Sequence, residues 1–271
     1  MADLGELFKR PVVFTLPGID ETRVQTSIPY KVADGQELCL DIYSPANASS
    51  DRLPAVIFVH GEASHEQLET IRGSGQYTGW GRLTAASGLV GVTFNHRPSA
   101  GFTTTDGVED TRDAIAYVRE HAAEFGVDPG RIAIWTCSAG GPTAFPWLLR
   151  ESPSWLRALV AHYSVLDLRP AAAGEEGLSE EQSRAMSPTA ALSETTGSVP
   201  PILISKAGQD QPWLNESIDR FVSAALARNV TLDLMTHPTG HHAFDVLDDD
   251  ARSHEIIART LQFLREHLLR A

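Results

Sequence analysis

Cysteine is almost missing from this sequence: Cys39 and Cys137 are its two examples, one in a strand-like segment and one beside a turn. Two such residues make no disulfide framework, so a reducing, cytoplasmic setting is expected. Positive charge is scarce as well. Against 22 Lys and Arg stand 35 Asp and Glu, a formal net charge of −13 at pH 7. Nucleic acid and anionic membrane would be repelled by such a chain, which argues against either as a partner. No apolar run is long enough to cross a bilayer, and the opening MADLGELFKRPVVF carries acidic residues early, without the apolar stretch of a secretion signal. The glycines at 73, 75, 79 and 81 lack the spacing of a nucleotide-binding loop, and no internal repeat is found. The 271 residues suit one large α/β domain, 1–271, with a substantial core.

The most informative stretch is Arg131 to Pro146, RIAIWTCSAGGPTAFP. An apolar run, Ile132 to Trp135, passes into the small residues 137–141 and then into residues able to begin a helix. That pattern is a strand, a tight turn and a helix, with Ser138 at the apex. A serine so placed is pushed off the sheet, with its hydroxyl exposed and the N–H groups of the helix start directed toward it. A hydroxyl is a poor nucleophile until a base removes its proton, so a histidine and a carboxylate are required elsewhere.

With the preceding EHAAEFGVDPGRIAIW, this segment resembles the nucleophile elbow of the α/β-hydrolase superfamily, in particular the small esterases related to hormone-sensitive lipase. The family's G-x-S-x-G reads here Thr136-Cys137-Ser138-Ala139-Gly140, so a β-branched residue replaces the first glycine. Either the elbow opens slightly or a neighbouring element is trimmed. Cys137 invites comparison with the nucleophile of dienelactone hydrolases, but it stands one residue before the apex and is expected to tuck beneath the turn. Likewise His60-Gly61-Glu62-Ala63 resembles the family's H-G-G-G loop with two glycines absent. The resemblance implies an oxyanion hole built from the backbone N–H groups of Glu62, Ala63 and Ala139.

Along the chain, Val12 to Leu16 suggests an edge strand. Asp34-Gly35 between IPYKVA and ELCLDIY signals a hairpin. In its second arm Leu38, Leu40 and Ile42 alternate with Cys39, Asp41 and Tyr43, which predicts one buried and one wetter face. AVIFVH, LVGVTF, ALVAHYSVL and PILISKAG read as buried strands and TLDLMTH as the last strand. Gly73 to Gly81 reads as flexible lining of a site entrance. Ile115, Val118, Ala122 and Phe125 mark an amphipathic helix ended by Gly126, before the turn at Asp128-Pro129. Further helices are predicted over 215–228 and 255–269. Asn95-His96-Arg97-Pro98 resembles a structural segment of the family, which leaves His96 without a catalytic role. A short lid is expected about 167–190, where the family inserts its cap, over a pocket only partly covered. Strands alternating with helices predict a mostly parallel sheet flanked by helices, the α/β-hydrolase fold.

Asp210 follows a predicted strand, at the end of the sheet where functional groups of open α/β folds collect, and Gly208 to Asp210 resembles the context of the family's triad acid. Its competing reading is a helix N-cap. PTGHHAFD resembles the family's histidine loop and implies His242 as the base, with His241 the near competitor. The order Ser138, Asp210, His242 is the order of α/β-hydrolases. Zinc binding by His237, His241 and His242 is the rival reading, and no further Cys/His cluster nearby supports it. No metal or cofactor is expected. The resulting expectation is a serine hydrolase of small carboxylic esters, short-chain acyl or aryl, acting through an acyl-enzyme on Ser138. Amide hydrolysis, acyl transfer, or ligand binding without turnover remain the alternatives, and the oligomeric state is not legible.

Overall fold

The computed structural model describes residues 9–47, 52–62, 64–169 and 177–269. Within them lies one eight-stranded sheet of order β1-β2-β4-β3-β5-β6-β7-β8. The strands are β1 (Arg23–Ala33), β2 (Gln36–Ser44), β3 (Leu53–Val59), β4 (Val90–Phe94), β5 (Val127–Cys137), β6 (Leu156–His162), β7 (Ile202–Ala207) and β8 (Leu232–His237). β1 and β2 are an antiparallel hairpin at one edge; β2 runs antiparallel to β4, and every pairing from β4 through β8 is parallel. The hairpin turns through Asp34 and Gly35, both at positive φ, as a two-residue turn of matching twist demands.

Seven helices longer than one turn are described: α1 (Gly75–Ala86), α2 (Asp106–Glu120), α3 (Gly140–Glu151), α4 (Glu180–Met186), α5 (Pro188–Glu194), α6 (Pro212–Ala227) and α7 (Ala251–Leu268). Their apolar faces divide the core in two. Ile57, Val59, Ile132 and Ile134 point to one side and pack with residues of α2, α3 and α6; Val56, Phe58, Ala133 and Trp135 point to the other and pack with α1 and α7. Alternation along each strand therefore serves two buried faces at once, which is why the central strands read as continuous apolar runs. Among the described residues no helix is long and apolar enough to cross a membrane.

Four expectations need correction. Val12 to Leu16 forms no strand; it is an extended coil in which Val12 is buried and the Val13 N–H donates to the Asp245 carbonyl. β2 is buried on both faces, because α1 covers Tyr43, while Asp41 is enclosed by the Ser27 N–H and the Arg72 guanidinium. The stretch over 73–81 is not a flexible lining, since a regular helix already begins at Gly75, and a Cβ at Gly81 would lie 2.5 Å from the Tyr43 ring, so Gly81 lets α1 rest directly on the sheet. β6 stops at His162, four residues early, because Tyr163 takes left-handed backbone (φ 38°) and turns the chain off the sheet. Of the segment expected as a lid, 170–176 fall outside the described residues. α4 packs against the carboxyl end of α3, where Arg150 donates to the carbonyls of Arg184 and Ala185.

Candidate active site

β5 delivers Ser138 to the carboxyl end of the sheet, and α3 begins two residues later. Ser138 has φ 49°, a conformation costly for a residue with a side chain and retained here by what surrounds it. Its N–H donates to the His162 carbonyl and its own carbonyl accepts from Val165, so the end of β6 and the loop after it clamp the turn on both sides. On the other flank Gly61, just past β3, comes so close that a Cβ there would lie 2.8 Å from the Ser138 Cβ. Thr136, at the position of the missing glycine, is fully buried, and the turn admits it without opening. Its Oγ1 donates to the Val160 carbonyl at 3.2 Å and lies 3.0 Å from Ser164 Oγ, a small neighbour that leaves room for the branch.

The loop after β8 brings His242 to this turn. Its Nε2 lies 3.1 Å from Ser138 Oγ and its Nδ1 2.7 Å from Asp210 Oδ2. A carboxylate accepts and cannot donate, so Nδ1 carries the hydrogen and Nε2 is left to accept the serine proton. The Asp210 side chain is 2% exposed, and its second oxygen accepts the Gln211 N–H at 2.7 Å, which fixes the carboxylate plane. Loop-to-loop bonds hold acid and imidazole in register: Gly208 N–H to the His237 carbonyl, and Gln209 N–H to the Gly240 carbonyl. Ala243, at φ 64°, makes the corner that returns the chain into the helical turn Phe244–Leu247. His241 points elsewhere, 63% exposed, with both its backbone N–H and its Nδ1 on the Asp248 carboxylate. His237 is buried against Ser253. The three histidines thus answer to three different partners, and among the described residues no group of three or more His, Cys, Asp or Glu is arranged to hold a metal ion.

Of the three backbone donors expected for an oxyanion, Ala63 lies outside the described residues. Among those described, neither Glu62 N–H nor Ala139 N–H has a protein acceptor. The Glu62 carboxylate turns toward the 98–99 loop, where the buried Ser99 hydroxyl donates to it at 2.7 Å. Behind this loop His60 and His96 stack at 3.6 Å with their planes 5° apart. His60 Nδ1 donates to the Gly61 carbonyl and Nε2 accepts the His96 N–H, so the ring is neutral; complete burial pushes its pKa well down.

Cys137 is buried beneath the turn, with Tyr77 Oη 3.1 Å from its Sγ. Burial pushes the thiol up to about 12, which leaves it protonated and a poor nucleophile. Beside Ser138 opens a cavity of about 210 Å³, whose walls include Glu62, Ile71, Gln76, Tyr77, Tyr163 and His242. No described residue of 167–190 lines it. Sequence reasoning missed Gln76, Tyr77 and Tyr163, which sit on a helix and a strand end far from any motif. It also missed Asp245, whose one signal was a charge set between apolar neighbours in HHAFDVL.

Residues 96–268 match the family model described as the dienelactone hydrolase family, and residues 40–149 match one described as BD-FAE. Esterase LipQ of Mycobacterium tuberculosis is 29% identical over 278 residues, covering 89% of this chain and 63% of that protein. Liver carboxylesterase 1 of Oryctolagus cuniculus is 32% identical over 139 residues, 47% of this chain and 23% of that protein. The chain thus spans about a quarter of the length of such a carboxylesterase. Among solved structures, the apo form of Thermogutta terrifontis esterase 2 superposes with a TM-score of 0.70 at 25% identity, over 93% of this chain and 96% of that one. With the strand order above, that likeness makes the fold an α/β-hydrolase fold.

Proposed function

This chain belongs to the dienelactone hydrolase family, and from that premise we propose that it is a serine hydrolase of carboxylic esters, with Ser138 as nucleophile, His242 as base and Asp210 as the acid that orients it. The observation that carries the reading is the line of two hydrogen bonds, 3.1 and 2.7 Å, joining Ser138 to His242 and His242 to Asp210 at the strained apex of the turn. His242 Nε2 takes the Ser138 proton as Oγ attacks the acyl carbon. The carbonyl oxygen, now negative, is held by backbone N–H groups, for which Glu62, Ala63 and Ala139 are the proposed donors. His242 returns the proton to the departing alkoxide, and an acyl-enzyme remains. Water, deprotonated by the same imidazole, then releases the acid and restores Ser138. Asp210 stabilises the imidazolium in both halves without taking its proton. The family's comparison with a cysteine nucleophile does not extend to Cys137, whose buried thiol is paired with Tyr77 while the apex belongs to serine.

A cavity of about 210 Å³ holds a small group, so short acyl or aryl esters are the proposed substrates. We further propose that the chain is one hydrolase domain, in which α4, from the insertion between β6 and β7, packs on α3. The test is a ladder of aryl esters from acetate to decanoate followed before steady state. The expected result is one burst of product per protein chain, greatest for the shorter acyl groups, and its absence in Ser138→Ala. Burst and turnover undiminished by that substitution would overturn the assignment.

A further inference from the structure

Asp245 is fully buried, and among the described residues no Lys, Arg or His forms an ion pair with it. Three neutral donors satisfy it instead. Trp80 Nε1 and Gln76 Nε2 donate to Oδ2 at 2.7 and 3.0 Å, and the Tyr163 hydroxyl donates to Oδ1 at 2.6 Å. A buried carboxylate is costly unless every acceptor site is used, so this arrangement is demanding of its neighbours. Burial first, and the Asp245 charge after it, push the Tyr163 phenol well above its ordinary pKa, and it stays a donor at every working pH.

The consequence falls on Gln76. Its Nε2 has two hydrogens and two acceptors, Asp245 Oδ2 and, at 2.7 Å, the Tyr163 hydroxyl oxygen. The flipped amide would put Oε1 against the carboxylate, lone pair to lone pair, so the orientation is dictated by the network. Oε1 has no protein partner among the described residues, and it is not one of the buried polar atoms left unpaired. Gln76 belongs to the cavity wall, and Oε1 is therefore the one polar atom of its side chain available to a ligand. Of the other polar groups on the wall, the Tyr163 hydroxyl is fully engaged, the Tyr77 hydroxyl is paired with Cys137, the Ser74 hydroxyl can donate or accept, and the Glu62 carboxylate, also an acceptor, is turned onto the Ser99 hydroxyl.

We propose that Asp245 and Gln76 determine specificity: by holding both amide hydrogens of Gln76, Asp245 makes the cavity wall a hydrogen-bond acceptor, and the pocket selects esters whose seated arm carries a hydroxyl or an N–H. This rests on the ester-hydrolase reading. A donor-bearing substrate satisfies Oε1, whereas an ether of the same shape sets oxygen against oxygen and loses the water that Oε1 would otherwise hold.

The test compares kcat/KM by titration of released acid in two series. One varies the acyl arm (methyl 3-hydroxybutanoate, methyl 3-methoxybutanoate, methyl pentanoate), the other the alcohol arm (2-hydroxyethyl, 2-methoxyethyl and propyl butanoates). In the unaltered protein the hydroxyl ester should exceed its methyl ether by about tenfold in one series, the worth of one neutral hydrogen bond. Gln76→Met, which keeps the shape and removes the acceptor, should bring that ratio to within about twofold. Asp245→Asn, which frees the Gln76 amide to flip, should lower it at least about threefold. Turnover of the plain esters with a flat hydroxyl-to-ether ratio in both series would overturn this inference and leave the hydrolase reading standing. No turnover of any ester would remove both. If Asp245→Asn does not fold, Gln76→Met decides; a ratio lost in Gln76→Met but kept in a folded Asp245→Asn would overturn the part given to Asp245.

Discussion

Helix α3 has a serine in left-handed backbone just before its start and another at its end, Ser138 at φ 49° and Ser152 at φ 45°. Both line hollows, and the hollow at Ser152 is the larger, about 440 Å³, with Glu266 and His267 also on its wall. By residue type, strain and size the two ends are rivals, and the wrong end is the roomier. What separates them is where each hydroxyl proton goes. Ser152 Oγ donates to the Leu149 carbonyl and its N–H to the Leu148 carbonyl, so side chain and backbone both close the helix terminus. Ser138 Oγ faces an imidazole whose far nitrogen is fixed by a carboxylate. The two also stand at opposite ends of the strands: the hollow at Ser152 lies where β6 and β7 begin, that at Ser138 where β3, β5 and β6 finish. In open α/β sheets the second position is the functional one. Positive φ alone is therefore a poor guide, and the partner of the hydroxyl is a good one.

The sharpest way to break this contrast is to remove each hydroxyl. Ser138→Ala should abolish ester turnover, whereas Ser152→Ala should leave kcat/KM within about twofold and lower stability by about 1 kcal/mol through the lost capping bond. Urea unfolding read beside the ester assay checks both, and similar losses of turnover in the two variants would erase the distinction. Next in size is the histidine pair. His242→Ala should lower kcat by about 10⁴-fold or more, as losses of triad bases do, and His241→Ala by less than about tenfold, since its Nδ1 is held by Asp248. Equal losses would mean that the loop is read one residue out.

Smaller still is the effect expected at Glu62. A carboxylate about 4 Å from the oxyanion at an effective dielectric near 20 would cost about 4 kcal/mol, but the bond from Ser99 turns it aside. Glu62→Gln should keep kcat/KM on a neutral short-chain ester within about tenfold; a thousandfold loss with the fold unchanged would give the carboxylate a part in the chemistry. The least effect is that of Thr136→Val. Losing one buried hydroxyl bond should cost about 1 kcal/mol, a fall in Tm of about 2–4 °C in calorimetry, with turnover little changed. An increase in Tm would show that Thr136 strains the turn rather than bracing it.

The parallel strands, the hairpin and the elbow were legible in the sequence because each rests on a local rule: buried parallel strands read as apolar runs, Asp34-Gly35 takes the turn that hairpins need, and small residues surround an apex serine. The cavity wall was not. Gln76 and Tyr163 are 87 residues apart in the chain and meet only because the first turn of α1 reaches the residue that follows β6. Glycines over 73–81 looked loose for the same reason: Gly75 and Gly79 accommodate Arg10 and Val12, and Gly81 the Tyr43 ring, all more than thirty residues earlier in the chain. Between His241 and His242 the sequence offers no local physical difference, and Asp248 and Asp210 draw them apart from different loops.

The most direct measurement is the site of fluorophosphonate attachment, located by peptide mass spectrometry after brief labelling at pH 8. The thiol of Cys137, pushed up to about 12 by burial, is then protonated, and the Ser152 hydroxyl donates to the Leu149 carbonyl. A single adduct on Ser138 is the expected result. An adduct on Ser152 or Cys137, or none on a protein that hydrolyses esters, would contradict the account.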